Sequence, residues 1–101
     1  MTVLVELKPL FANRKSFYGK AYCIHNKKIS ALKSYDTVVV VVFHDMHTVT
    51  FPWGDWSATT GAHVKEFLQQ INLWDKALEV MNEKGYKSLA QLMRSGTPLQ
   101  Y

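Results

Sequence analysis

Five consecutive valines, Val38 to Val42, followed by Phe43, give this chain its strongest signal for secondary structure. Side chains that are β-branched or aromatic pack well on the pleated surface of a sheet, so the run predicts a β-strand. It is far shorter than the roughly 20 apolar residues that a helix needs to cross a bilayer. The valine run therefore predicts a sheet inside a folded domain, with no insertion into a membrane.

Shorter strand patterns lie on both sides of the valine run. They cover Val3–Leu7, Ser16–His25, Ile29–Tyr35 and Thr48–Trp53. The breaks between them fall at Asn26-Lys27, at Asp36 and at Asp45-Met46, and each is short enough for a tight turn between neighbouring antiparallel strands. The sequence therefore predicts an antiparallel meander sheet of four to five strands.

The pattern becomes helical after the loop at Pro52–Trp56. Helices are predicted from apolar residues at helical spacing over Val64–Ile71 and Trp74–Met81, and from Ser88 to Ser95. Asn72 is expected to cap the start of the second helix, and Gly85 is expected to end it in a left-handed conformation. Strands followed by helices predict an α+β fold, with two to three helices packed on one face of the sheet.

The length of 101 residues and an apolar fraction of 48% allow one domain with one core, covering residues 1–101. Its sheet is expected at about residues 3–53 and its helices at about residues 60–95. The first eight residues have no basic region followed by a long apolar stretch, so no secretory signal is expected. The single cysteine, Cys23, cannot form an internal disulfide. These features together predict a cytoplasmic protein.

Four of the five cysteine and histidine residues form two close pairs, Cys23-x-His25 and His44-x-x-His47. In a meander, the strands that end at His25 and at His44 run in the same direction, so both pairs are expected at one end of the sheet. With a two-residue turn between them, His44 and His47 would face each other across two strands. Cysteine and histidine are ligands of tetrahedral zinc, so these four residues are a candidate zinc site. The alternative is a cysteine that fills the core beside solvated histidines.

Positive charge is concentrated in the N-terminal third of the chain. Residues 1–35 hold seven basic side chains against Glu6 alone, a balance of +6, whereas the whole chain carries +4. The candidate partner-binding residues in this part are Arg14, Lys15, Tyr18, Lys20, Tyr22, Lys27 and Lys28. Lysines and tyrosines that alternate onto one face of a sheet can stack bases and meet phosphates. The same face also fits an acidic protein surface, and outward lysines commonly serve only to keep a domain soluble.

Trp56 and His63 are the remaining candidates. Trp56 follows Gly54-Asp55 in a loop, where an exposed tryptophan would anchor a protein partner, and burial in the core is the other interpretation. His63 is expected to be a solvated residue in the first turn of the first helix. The chain has no carboxylate pair, glycine-rich phosphate loop or nucleophile beside an orienting base of any specificity. The sequence therefore predicts a noncatalytic protein.

Four short motifs stand together within about residues 12–71. They are Arg14-Lys15-Ser16-Phe17-Tyr18-Gly19-Lys20-Ala21, Ser34-Tyr35-Asp36-Thr37, Trp56-Ser57-Ala58-Thr59-Thr60 and His63-Val64-Lys65-Glu66-Phe67-Leu68. The combination resembles a family of small accessory domains found in phages and mobile elements of Gram-positive bacteria. Accessory proteins of this kind include anti-CRISPR proteins, so the resemblance implies an inhibitor that binds a Cas nuclease in the cytoplasm of the host cell. The alternative is a nucleic-acid-binding accessory domain that uses the basic aromatic face.

Overall fold

The computed structural model describes residues 2–11, 19–52 and 57–101. Over these ranges it contains six strands and three helices, which confirms the α+β fold with more strands than predicted. The elements are β1 (Val3–Glu6), β2 (Ala21–His25), β3 (Ile29–Ser34), β4 (Thr37–Phe43), β5 (Thr48–Thr50), α1 (Ala58–Gln70), α2 (Trp74–Lys84), α3 (Leu89–Ser95) and β6 (Leu99–Gln100). The strands form one antiparallel sheet in chain order, from β1 at one edge to β6 at the other.

The valine run forms β4, which lies in the middle of the sheet between β3 and β5. The pairing between β3 and β4 shifts by one residue, because Leu32 pairs with Val40 whereas Lys33 pairs with Val38. Val39 is the extra residue of this β-bulge, and both Val39 and Val40 are fully buried. The bulge thus lets two consecutive valines face the core.

The turn between β4 and β5 differs from the predicted one. It spans four residues, 44–47, and Phe43 pairs with Thr48 at its base. Tight two-residue turns require left-handed backbone angles that glycine or asparagine adopts easily, and Asp45-Met46 has neither residue. The longer turn places a left-handed residue at His47, with φ of 49°. The predicted facing arrangement of His44 and His47 is therefore wrong.

The helices begin and end largely as predicted. The Ser57 hydroxyl caps α1 by accepting the Thr60 N–H at 3.1 Å. Gly85 ends α2 in the left-handed conformation, with φ of 72°. Asn72 does not cap α2; it adopts a φ of 63° in the turn after α1, and Leu73 is the residue that precedes α2. None of the helices in the described residues is long and apolar enough to cross a membrane.

One face of the sheet packs against the helices. The core cluster joins sheet residues such as Cys23, Leu32, Val40, Val42, Val49 and Leu99 to Val64, Phe67 and Leu68 of α1, Ala77 and Met81 of α2, and Leu92 and Met93 of α3. The short strand β6 was not predicted. It pairs with β5 and places Leu99 in this core, which returns the end of the described chain to the sheet.

Candidate functional site

His25 at the end of β2 and His44 just after β4 both contact Ser30, which lies on the intervening strand β3. The Ser30 Oγ atom is 2.9 Å from His25 Nδ1 and 2.9 Å from His44 Nε2. Ser30 is buried, and both imidazoles are half-buried at the rim of the sheet. The backbone N–H of His44 also donates to the carbonyl of Lys28 at 3.0 Å, which fixes the chain as it leaves β4.

The hydroxyl of Ser30 has one proton to donate and also accepts. It therefore donates to the unprotonated nitrogen of one imidazole and accepts the N–H of the other, so the tautomer of one ring fixes that of its neighbour. The outer nitrogens of the two rings are then complementary, one a donor and the other an acceptor. The group can offer a bound molecule one hydrogen-bond donor and one acceptor across neighbouring strands.

A cleft of about 260 Å³ opens beside this group. It is lined by Ser30, Val42, His44, Ile71, Leu73 and Tyr101. Its walls are apolar on the side of the turn between α1 and α2 and polar at the sheet rim. The arrangement is large enough for a small apolar group with one polar end.

Cys23 lies two residues before His25 on the same face of β2, as predicted from strand alternation, and is 7% exposed. Burial raises the pKa of its thiol from 9.0 to about 11, because the interior disfavours the thiolate. At neutral pH the side chain is therefore a protonated thiol within the core cluster. This is the core-filler arrangement that the sequence left open as an alternative.

His47 lies apart from the other three predicted metal ligands. Its side chain is exposed and its ring packs edge-on against Tyr101, with ring centres 5.3 Å apart. Among the described residues, no three or more histidine, cysteine or acidic side chains are placed together to hold a metal ion. The structure thus brings together two of the four predicted ligands, His25 and His44, with Ser30 between them.

His63 occupies a different environment from the predicted one. It is fully buried, because the first turn of α1 faces the sheet. Its Nδ1 atom is 2.9 Å from the hydroxyl of Ser34 on β3, which is also 3.2 Å from the hydroxyl of Thr60. This polar contact joins α1 to the sheet inside the core, so His63 has a structural role here.

Glu66 is a second buried polar residue of α1 that the sequence gave no reason to select. Its carboxylate accepts the backbone N–H of Leu10 at 3.2 Å and of Phe11 at 3.0 Å. The Gln70 amide donates to the same carboxylate and to the carbonyl of Lys8, each at 2.7 Å. Glu66 therefore holds the segment after β1 against the helix layer.

The predicted basic aromatic face is only partly within the described ranges. Arg14, Lys15, Tyr18 and Trp56 lie outside them. Tyr22 points away from the core, as predicted, because it alternates with Cys23 along β2 and pairs with Lys33 of β3. Lys20 lies just before β2, and Lys27 and Lys28 lie exposed in the turn after it.

The face of the sheet opposite the helices is largely aliphatic, and we call it the outer face. Direct pairing places Leu4, Ile24 and Val41 in one row across the sheet, with Ala31 between the last two. The remaining members are Tyr22, Ile29, Lys33, Val38 and Phe43. All except Ala31 are exposed or half-buried, and none of the outer-face residues belongs to the core cluster. No helix of the described chain packs on this face.

The comparisons with known proteins identify a family without assigning an activity. No curated protein matches the chain, and no solved structure does. One family model, described as a family of unknown function (DUF8033), matches residues 5–87, which include β2 to β5 and both α1 and α2. Because this match covers well over half of the 101 residues, the chain belongs to the DUF8033 family.

Proposed function

We propose that this chain is a noncatalytic protein-binding domain that docks a partner on the outer face of its sheet. The observation that supports this function is the exposed aliphatic row of Leu4, Ile24 and Val41, flanked by Val38 and Phe43. Burial of such side chains contributes about 25 cal/mol for each Å² of apolar surface removed from water. A contiguous exposed apolar surface is a usual sign of a site for a protein partner.

The charge around the outer face favours an acidic rim on the partner. Lys33 lies within the face beside Tyr22, and Lys20 lies next to it at the start of β2. Among residues 19–35 of the described chain there is no acidic side chain. Such a field speeds the approach of an acidic partner and specifies its orientation, whereas the apolar row supplies most of the affinity.

Nucleic-acid binding is the second candidate, and the layout of the outer face disfavours it. A base-stacking platform needs aromatic rings close together on neighbouring strands. Tyr22 and Phe43 are the aromatic side chains of this face in the described residues. They lie four residues apart along the strands, about 13 Å at 3.3 Å for each residue, and on strands separated by β3. Aliphatic side chains occupy the space between them.

Cross-linking from the outer face tests the proposed function. A photoreactive benzoylphenylalanine would replace Val38, which is 38% exposed, and the matched control would carry it at Glu83 on the exposed side of α2. We expect a defined protein adduct from the first position and none from the second. By the resemblance to phage accessory proteins, Cas effector nucleases are the first purified partners to test.

Titration of the identified partner then decides between surfaces. Val41→Glu places a charge in the aliphatic row, and we expect it to weaken binding by at least about tenfold, or 1.4 kcal/mol. Glu83→Ala is expected to leave the affinity unchanged. Equal adducts from both positions, or equal affinities for both variants, would contradict the proposal. Tight binding of single-stranded RNA or DNA that falls steeply with salt would instead support the second candidate.

A further inference from the structure

The strand β1 exposes one line of backbone groups along the edge of the sheet. Leu7 donates its N–H to the carbonyl of Ala21 at 2.9 Å, in register with the pairs Val5–Cys23 and Val3–His25. Antiparallel pairs alternate between hydrogen-bonded and non-hydrogen-bonded ones. Residues 3, 5 and 7 therefore direct their backbone groups toward β2, whereas Leu4 and Glu6 direct their N–H and C=O groups away from the sheet.

The outward backbone groups of Leu4 and Glu6 have no hydrogen-bond partner among the described residues. The neighbouring side chains are also exposed, at 45% for Val3, 63% for Leu4 and 49% for Val5. Natural edge strands are usually protected by a charge, a proline or a bulge. Val3, Leu4 and Val5 carry none of these, so β1 is an open edge onto which another strand can pair.

Lysines lie at both ends of this edge. Lys8 and Lys20 lie at the end near Leu7, since Leu7 pairs with Ala21. Lys27 and Lys28 lie in the turn beyond His25, next to Val3 at the other end. The single acidic residue of β1, Glu6, has its carboxylate 2.6 Å from the backbone N–H of Gly19, which donates to it. An added strand would therefore meet positive charge at both of its ends.

We infer that β1 binds an extended acidic segment of a partner protein, which adds to the sheet as a seventh strand. This inference rests on the proposed function and specifies its recognition mode. Backbone bonds to Leu4 and Glu6 give the segment its register, and its alternate side chains continue the outer face beyond Leu4. A second copy of this chain fits poorly, because antiparallel pairing of two β1 strands brings Lys8 and Lys20 of one copy toward Lys27 and Lys28 of the other.

The probe is a synthetic peptide of about seven residues in which valine and threonine alternate and glutamates stand at both ends. Its matched control has lysines in place of the glutamates. Titration into the isotope-labelled full chain is followed by amide chemical shifts. We expect shifts confined to residues 2–8 and 19–28 for the acidic peptide, and affinity at least about tenfold lower for the basic one. Equal affinities for both peptides, or shifts located on the helices, would overturn the inference.

Leu4→Pro provides a variant that acts on the backbone. It removes the outward N–H of residue 4 and leaves the bonds between β1 and β2 intact, a position where edge strands tolerate proline. Leu4→Ala removes a similar amount of side chain and keeps the N–H. We expect Leu4→Pro to abolish peptide binding and Leu4→Ala to weaken it only severalfold. Equal binding by the two variants would contradict strand addition.

Further measurements keep the outcome interpretable. If Leu4→Pro does not fold, N-methylation of alternate peptide amides replaces it: methyl groups on the bonded side should block binding, and those on the other side should not. Sedimentation that shows a dimer of the chain, abolished by Leu4→Pro, would assign the edge to a second copy and overturn the inference. A partner that cross-links at Val38 and binds Leu4→Pro normally would leave the proposed function intact and reject strand addition alone.

Discussion

His25 and His44 lie on different strands and are joined through the hydroxyl of Ser30, at 2.9 Å from each. The shared hydroxyl makes the two imidazoles dependent on each other, because one serine proton can serve only one of them at a time. The link also ties the ends of β2, β3 and β4 together at the rim, beside a cleft of about 260 Å³.

Ser30→Ala should break this link. Because it leaves both imidazoles without their buried partner, we expect a loss of about 1–2 kcal/mol in the free energy of unfolding, measured by urea titration. A double-mutant cycle on His25→Ala and His44→Ala should show a coupling energy of about 0.5 kcal/mol or more. In the Ser30→Ala background that coupling should vanish. Additive effects in both backgrounds would show that the hydroxyl transmits nothing between the rings.

The buried thiol of Cys23 should make stability depend on pH in the alkaline range. The pKa of the thiol is about 11 in the folded chain and near 9 when unfolded, so above pH 9 the unfolded state binds fewer protons than the folded one. Stability therefore falls as pH rises from about 9 to 11, by roughly 1–2 kcal/mol. Urea titrations of the wild type and Cys23→Ala across this range isolate the effect, since all other groups are common. Parallel pH profiles would contradict the prediction.

Glu66→Gln should release the segment that follows β1. The substitution keeps the size of the side chain but removes the carboxylate that accepts the N–H groups of Leu10 and Phe11. We expect a loss of about 1–3 kcal/mol in the free energy of unfolding. Hydrogen exchange of the Leu10 and Phe11 amides should also accelerate. Glu83→Gln, on the exposed side of α2, is the matched control and should change neither quantity.

Elemental analysis of untagged protein tests the zinc prediction. With zinc at the rim, about one metal ion per chain should be present. His25→Ala and His44→Ala should lower the content, because these two imidazoles lie on either side of Ser30. His47→Ala should leave it unchanged, since the His47 ring packs against Tyr101. A stable wild-type protein without zinc would end the prediction.

Much of the fold follows from local patterns in the sequence. The valine run, the helical spacing of Val64 to Ile71 and the cap at Ser57 each depend on neighbouring residues, and the structure confirms all three. The turn at 44–47 was mispredicted because its length depends on how β4 and β5 pair, and not on Asp45-Met46 alone. β6 was missed because a two-residue strand carries no periodic signal.

The candidate site could be predicted only in part. Alternation along β2 correctly places Cys23 on the core side and Tyr22 on the outer face. Ser30 carries no motif, and its role appears when the register sets it between His25 and His44. His63 and Glu66 looked like surface residues of a helix start, and their burial follows from which side of α1 meets the sheet.

The amino-acid sequence by itself determined which segments become strands and helices, and which side chains alternate along each strand, because those properties arise between residues close in the chain. The tertiary structure decided which residues meet across strands, that the outer face is aliphatic, and that β1 lies at an open edge. Those properties depend on register and packing between distant segments, which the free energy of the whole fold selects.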